Sequence, residues 1–233
     1  MVGLAIPDQE DDPDPGYCGG SIINDRYILS AAHCFQVAEP EMVKVTIGSY
    51  KVTDLTKRET LKVDKVIIHD DYEPMRGHRN DIALIRLMEP LVFNDTIGPI
   101  CMASQYTPIE NLFLSGWGVT RPPKDNGQLS ETLLQTDFQV IDDETCQKEW
   151  NYRNAKVNIT VQMCAGESGR SSCQGDSGGP LSTRTAGRVY QVGLVSYGTT
   201  DCGVQTGKPT VYTRVSGYAD WILKNTIDAR YCT

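Results

Sequence analysis

Histidine is scarce in this chain, with three among 233 residues, so chemistry that needs an imidazole has few places to occur. Basic residues are outnumbered too: 22 Lys and Arg face 30 Asp and Glu, for a formal charge of −8. Such a surface repels phosphate backbones and anionic headgroups, which argues against nucleic acid and membrane surfaces as partners. Its simplest consequence is solubility. No apolar run approaches the ~18 residues of a membrane-spanning helix. The opening Met1–Ile6 is too short for a signal-peptide core, and acidic residues follow at once. Helical periodicity is nearly missing as well. Only Tyr218 to Ile227 places Tyr218, Trp221, Ile222 and Asn225 at helical spacing, and no internal repeat stands out.

What remains is strand-like. Apolar residues make up 39% of the chain, enough for the packed core of one domain or two small ones. They fall in short Val/Ile/Leu/Tyr/Thr runs such as Lys44–Ser49, Leu61–Ile68, Ile82–Leu87, Leu112–Trp117 and Tyr190–Tyr197. Gly, Pro, Asn and Asp separate them, a pattern that predicts barrels rather than helices. Eight cysteines point to an oxidising compartment.

The densest signal is Ser172-Cys173-Gln174-Gly175-Asp176-Ser177-Gly178-Gly179-Pro180. Its glycines allow a sharp turn and a close approach to substrate, so that the N–H groups of Gly175 and Ser177 can converge on a developing oxyanion. A serine hydroxyl needs a base to take its proton, and imidazole suits that task. His33 ends an apolar strand beside Cys34 and is the candidate base. His69, at a strand end before Asp70-Asp71-Tyr72, and His78, in a Gly/Arg/Asn loop, read as solvated or structural. Asp81 opens the apolar run Ile82-Ala83-Leu84-Ile85. A carboxylate buried there needs partners, and an imidazole N–H supplies one.

The motifs AAHC, DIALI and GDSGGP, in the order His, Asp, Ser, resemble those of chymotrypsin-fold serine peptidases of the trypsin-like superfamily. The likeness runs over nearly the whole chain. It includes Cys18-Gly19-Gly20-Ser21-Ile22-Ile23, Gly116-Trp117-Gly118, Val195-Ser196-Tyr197-Gly198, Lys208-Pro209-Thr210-Val211-Tyr212-Thr213-Arg214-Val215 and Trp221-Ile222. The resemblance implies an all-β fold of two packed six-stranded antiparallel Greek-key barrels with a C-terminal α-helix at about 217–227. Residues 1–101 would form the first barrel, 102–111 a linker, and 112–233 the second barrel with the nucleophile and specificity pocket. It also implies catalysis by His33, Asp81 and Ser177 without a cofactor or metal, and an oxyanion hole at Gly175 and Ser177. Substrate backbone would pair with Ser196, Tyr197 and Gly198.

In such proteins the pocket for the residue before the scissile bond (P1) would be formed here by Ser171, Ser172, Gly198 and Thr210. Ser171 stands at the floor, where trypsin-like members carry a carboxylate. A neutral serine does not offset the desolvation of Lys or Arg, so uncharged Leu, Met, Phe or Tyr is expected, as in chymotrypsin- or elastase-like members. Asp201 is expected at the rim. Calcium-binding relatives place acidic side chains in a loop where this chain has Ser49, with Glu59 the one match, so a metal is not expected.

The same likeness assigns the disulfides Cys18–Cys34, Cys146–Cys164 and Cys173–Cys202. A further bridge of many relatives is replaced here by Leu112 and Thr183, leaving Cys101 and Cys232 to pair together or Cys101 to bridge to a propeptide or light chain. Some arthropod proteases with an amino-terminal clip module use the second arrangement. Activated members begin with a sequence like Ile-Val-Gly-Gly. Spacing to Cys18 instead aligns Met1–Ile6 with the first strand and Pro7–Tyr17 with an acidic loop, so roughly fifteen residues and the activation terminus are expected upstream. Asp176 would pair with that terminal ammonium, and this chain alone would be zymogen-like. Asn94 and Asn158 head glycosylation sequons. A secreted protein acting on proteins or peptides, and sensitive to serpin- or Kunitz-type inhibitors, completes the expectation.

Overall fold

Thirteen strands are identified in the computed structural model, which describes residues 1–7, 15–36, 38–54, 60–121, 127–150, 156–167, 170–202 and 207–231. The first sheet contains β1 (Val2–Ile6), β2 (Gly16–Ile22), β3 (Tyr27–Ser30), β4 (Lys44–Ile47), β5 (Val63–Ile68) and β6 (Ala83–Leu87). Its order is β4-β1-β2-β3-β6-β5, and an antiparallel bridge from Val45 to Leu61 closes the ends into a barrel. Burying Val2, Leu4, Ile28, Val45 and Ile85 inside this closed sheet supplies its driving force.

The second sheet contains β7 (Cys101–Met102), β8 (Leu112–Gly116), β9 (Leu134–Ile141), β10 (Gln162–Gly166), β11 (Pro180–Thr185), β12 (Arg188–Tyr197) and β13 (Thr210–Arg214). Six of its strands run β11-β8-β9-β10-β13-β12 and close through β11 with β12. The two-residue β7 is an addition that motif reading did not supply. It pairs parallel to β12, Cys101 with Tyr190 and Met102 with Gln191.

Near the C-terminus a 3₁₀ turn at Val215–Tyr218 leads into helix α2 (Ala219–Asn225). The expected helix at about 217–227 is therefore present but shorter. A second helix, α1 (Asp143–Glu149), departs from the reading that only the C-terminal stretch is helical. Asp142 caps it by accepting the Thr145 N–H at 2.8 Å, with Asp143 and Glu144 in the first turn favouring the dipole.

The barrels share a third apolar cluster, in which Ile23, Leu29, Ile82 and Leu84 pack with Leu194, Val215, Tyr218 and Ile222. Hydrogen bonds also cross the seam, from Gly19 N–H to Ser177 C=O at 2.7 Å and from Thr213 Oγ1 to Asp81 C=O at 2.8 Å. Side chains from both halves, Asp81 and Ser196 among them, meet along this seam.

Candidate active site

His33 follows β3 on a short 3₁₀ turn, Ala32–Phe35, tethered to β2 by the Cys18–Cys34 disulfide. Asp81 precedes β6 and is fully buried. Its carboxylate accepts the His33 backbone N–H at 2.9 Å and meets His33 Nδ1 at 2.8 Å. A third donor, Ser196 Oγ, reaches the same carboxylate at 2.5 Å. These partners make burial of the carboxylate tolerable. Burial disfavours the imidazolium of His33, but the charge of Asp81 and its hydrogen bond outweigh that effect and hold the ring above its ordinary pKa.

Ser177 arrives from the second barrel on a turn that glycine makes possible. Gly175 and Gly178 have φ of +92° and +72°, a region that side chains strain to occupy. A Cβ on Gly178 would also fall 2.3 Å from Ser30 Oγ and 2.8 Å from Gly19 O. Among the described residues no hydrogen bond is made by Ser177 Oγ or by the N–H groups of Gly175 and Ser177. The His–Asp half of the constellation is thus joined, whereas the Ser–His half is not.

The Trypsin family model matches residues 1–222. The chain belongs to the trypsin family. It is 38% identical over 228 residues to Serine protease 7 of Drosophila melanogaster, covering 89% of this chain and 56% of that protein. It is 34% identical over 233 residues to CLIP domain-containing serine protease B4 of Anopheles gambiae, covering 90% of this chain and 62% of that protein. Trypsin-1 of Astacus astacus is 33% identical over 220 residues, covering 91% of this chain and 88% of that protein. The chain thus spans about three fifths of the first two relatives.

Within this trypsin-family domain Asp176 faces a cavity of about 270 Å³ lined by Leu114, Gly116, Gly118, Val119 and Thr136 among others. Its carboxylate accepts the Gly118 N–H at 2.8 Å and the Cys173 N–H at 3.0 Å. No cation pairs with it among the described residues. Burial pushes its carboxyl up to about 6, against the pull of those two donors. A raised carboxyl binds its proton more tightly in the native state, so this group stabilises the fold at low pH and loses that effect as pH rises through about 6. Against an ordinary value of 3.8 the change amounts to about 3 kcal/mol between pH 3 and 7. Denaturant unfolding of this chain across that range should show the decline, and Asp176→Asn should flatten it. An unchanged slope in the variant would show that other groups carry the effect.

Ser171, Ser172 and Thr210 meet as a hydroxyl cluster, with Thr210 Oγ1 at 3.1 Å from Ser171 Oγ and 3.0 Å from Ser172 Oγ. Gly198 stands opposite: a Cβ there would lie 3.4 Å from Thr210 Oγ1. The disulfides Cys146–Cys164 and Cys173–Cys202 are both present. Cys101 is half-buried and has no disulfide partner among the described residues, while Cys232 lies outside them, as does Glu59. Ser49 Oγ donates to Asp54 at 2.7 Å, and Asp201 accepts from Thr199 Oγ1. Asn94 sits on an exposed loop and Asn158 is half-buried before an exposed turn.

His69 packs edge-on against Tyr218, with ring centroids 5.5 Å apart, as a structural residue would. His78 is different. Its ring centroid lies 5.8 Å from that of His33 and 5.6 Å from that of Tyr197. Sequence reading missed this proximity and the role of Ser196 Oγ at Asp81. No local signal marks either one, since both depend on loops brought together from far apart in the chain.

Proposed function

We propose that this domain belongs to a secreted serine endopeptidase that cleaves protein or peptide substrates through an acyl-enzyme. The observation that carries the reading is the His33–Asp81 pair, an imidazole held by a wholly buried carboxylate at 2.8 Å. Ser177 Oγ attacks the scissile carbonyl and His33 takes its proton through Nε2, while Asp81 fixes the tautomer and stabilises the imidazolium. The N–H groups of Gly175 and Ser177 receive the oxyanion. His33 returns the proton to the leaving amine, and water then hydrolyses the ester with His33 again as base. The backbone of Ser196–Gly198 takes the extended substrate as an added strand.

Asp176 is the receptor for an α-ammonium created by activating cleavage. Its raised carboxyl and lack of a cationic partner among the described residues support that assignment, and an arriving ammonium would fix the Gly175 amide. The serine–imidazole hydrogen bond tightens in the substrate complex, as such contacts do elsewhere. Cys101 links the domain to a propeptide or light chain, or to Cys232. Asn94 and Asn158 carry glycans, and serpin- or Kunitz-type proteins inhibit the enzyme.

The neutral hydroxyls of Ser171, Ser172 and Thr210 support a preference for Leu, Met, Phe or Tyr at P1. A lysine or arginine there would be buried without a counter-charge, at several kcal/mol. Peptide substrates differing only at P1 test this in the activated protein. Lys and Arg substrates should be cut at least about 100-fold less efficiently than Leu or Phe ones, and Ser171→Asp should narrow or invert that ratio. Equal rates on basic and apolar substrates would sink the assignment.

A further inference from the structure

We propose that the imidazoles of His33 and His78 form an inhibitory binding site for a zinc-like divalent metal ion, with the buried Asp81 carboxylate orienting His33 from behind. One donor atom from each of these residues lies within 4.8 Å of the others. Two nitrogens bound to one tetrahedral zinc, at 2.0–2.1 Å each, sit about 3.3 Å apart. The two half-buried rings must turn toward each other to close that gap. The other grouping around this base, Cys18 and Cys34 with His33, has no thiolate to offer because those sulfurs form a disulfide.

Both rings are already oriented as metal-binding imidazoles usually are, through a hydrogen bond at one nitrogen that leaves the other available. His33 Nδ1 is held by Asp81. His78 Nδ1 lies 2.9 Å from Tyr72 Oη, which also accepts from Gln36 Nε2 at 3.1 Å. The backbone under His78 is fixed as well: Gln162 Nε2 reaches across from the second barrel to Gly77 C=O at 2.8 Å.

Two imidazole nitrogens, with water filling the remaining positions, suit zinc, copper, nickel or cobalt, and not calcium or magnesium, which prefer all-oxygen shells. Occupation engages the lone pair with which His33 would accept the serine proton. No bond in a substrate is made or broken. The inhibitory consequence rests on His33 being the base, as proposed above, whereas the binding does not.

Binding is therefore measured first, by titrating Co²⁺ into the Ser177→Ala protein and following its visible absorption, with Zn²⁺ competition and calorimetry alongside. One ion per chain at micromolar metal is expected. His78→Asn should weaken it at least 10- to 100-fold, the range that even an outer-shell partner is worth. Asparagine is chosen because the φ of +48° at His78 suits it, and an unchanged unfolding midpoint verifies the fold. In the activated protein Zn²⁺ should inhibit reversibly with chelator rescue, Ca²⁺ and Mg²⁺ should not, and His78→Asn should keep basal hydrolysis while losing sensitivity. Undiminished Co²⁺ binding in His78→Asn, or no saturable binding at micromolar metal, would overturn the site. Metal binding in a protein that never hydrolyses peptides would uphold the site and remove the peptidase reading instead.

Discussion

Ser177→Ala should reduce kcat for peptide hydrolysis by about 10⁴- to 10⁶-fold in the activated protein, the scale on which a triad acts as a unit. The removed atom makes no hydrogen bond among the described residues and its side chain is not buried, so the fold has little to lose. The unfolding midpoint should stay unchanged, and affinity for a substrate-like peptide inhibitor should move by no more than a few-fold. This separation of rate from stability distinguishes a nucleophile from a packed loop serine. Combining Ser177→Ala with a substitution at His33 should cost no more than the first alone, because the base has nothing left to deprotonate. A residual rate within a few per cent of the parent would mean that the reaction does not pass through this hydroxyl.

The fold was legible where sequence carries local, repeated information. Short apolar runs bounded by Gly, Pro and Asn became strands, as with Leu112–Gly116 and Ala83–Leu87. Family likeness gave three disulfides that the structure contains. Helix α1 was missed although Asp142 and the acidic first turn announce it, because seven residues offer too little periodicity against a β-rich background. The parallel strand β7 was illegible for another reason. Two residues carry no pattern, and their pairing is decided by the partner 89 positions away, Cys101 against Tyr190.

The site divides along the same line. His33, Asp81 and Ser177 sit in motifs whose neighbours point to the roles proposed for them. Ser196 and His78 do not: the first lies 115 residues from the carboxylate it serves, and the second sits in a polar loop that looks solvated until the barrels pack. Only the folded seam shows that three donors converge on Asp81 and that a second imidazole borders the first.

That convergence sets the result expected for Asp81→Asn, a loss of about 10⁴-fold in kcat near neutral pH, the size known for the same change in the Ser-His-Asp template. The amide oxygen keeps the His33 backbone N–H, now at 2.9 Å. The amide nitrogen then replaces the oxygen that meets His33 Nδ1 at 2.8 Å and Ser196 Oγ at 2.5 Å. Ser196 rotates its hydroxyl to accept instead of donate, so the new amide N–H keeps a partner and the protein still folds. His33 cannot adapt so cheaply. To accept from the new N–H it must carry its proton on Nε2, which is the nitrogen that should receive the proton of Ser177. The residual activity should also titrate differently. With the carboxylate charge gone, burial alone acts on the imidazole and lowers its pKa. The base must be neutral to work, so the acidic limb of kcat/KM should move to lower pH. A variant with parental kcat, or one whose acidic limb moves upward, would show that Asp81 neither selects the tautomer nor raises the pKa of His33.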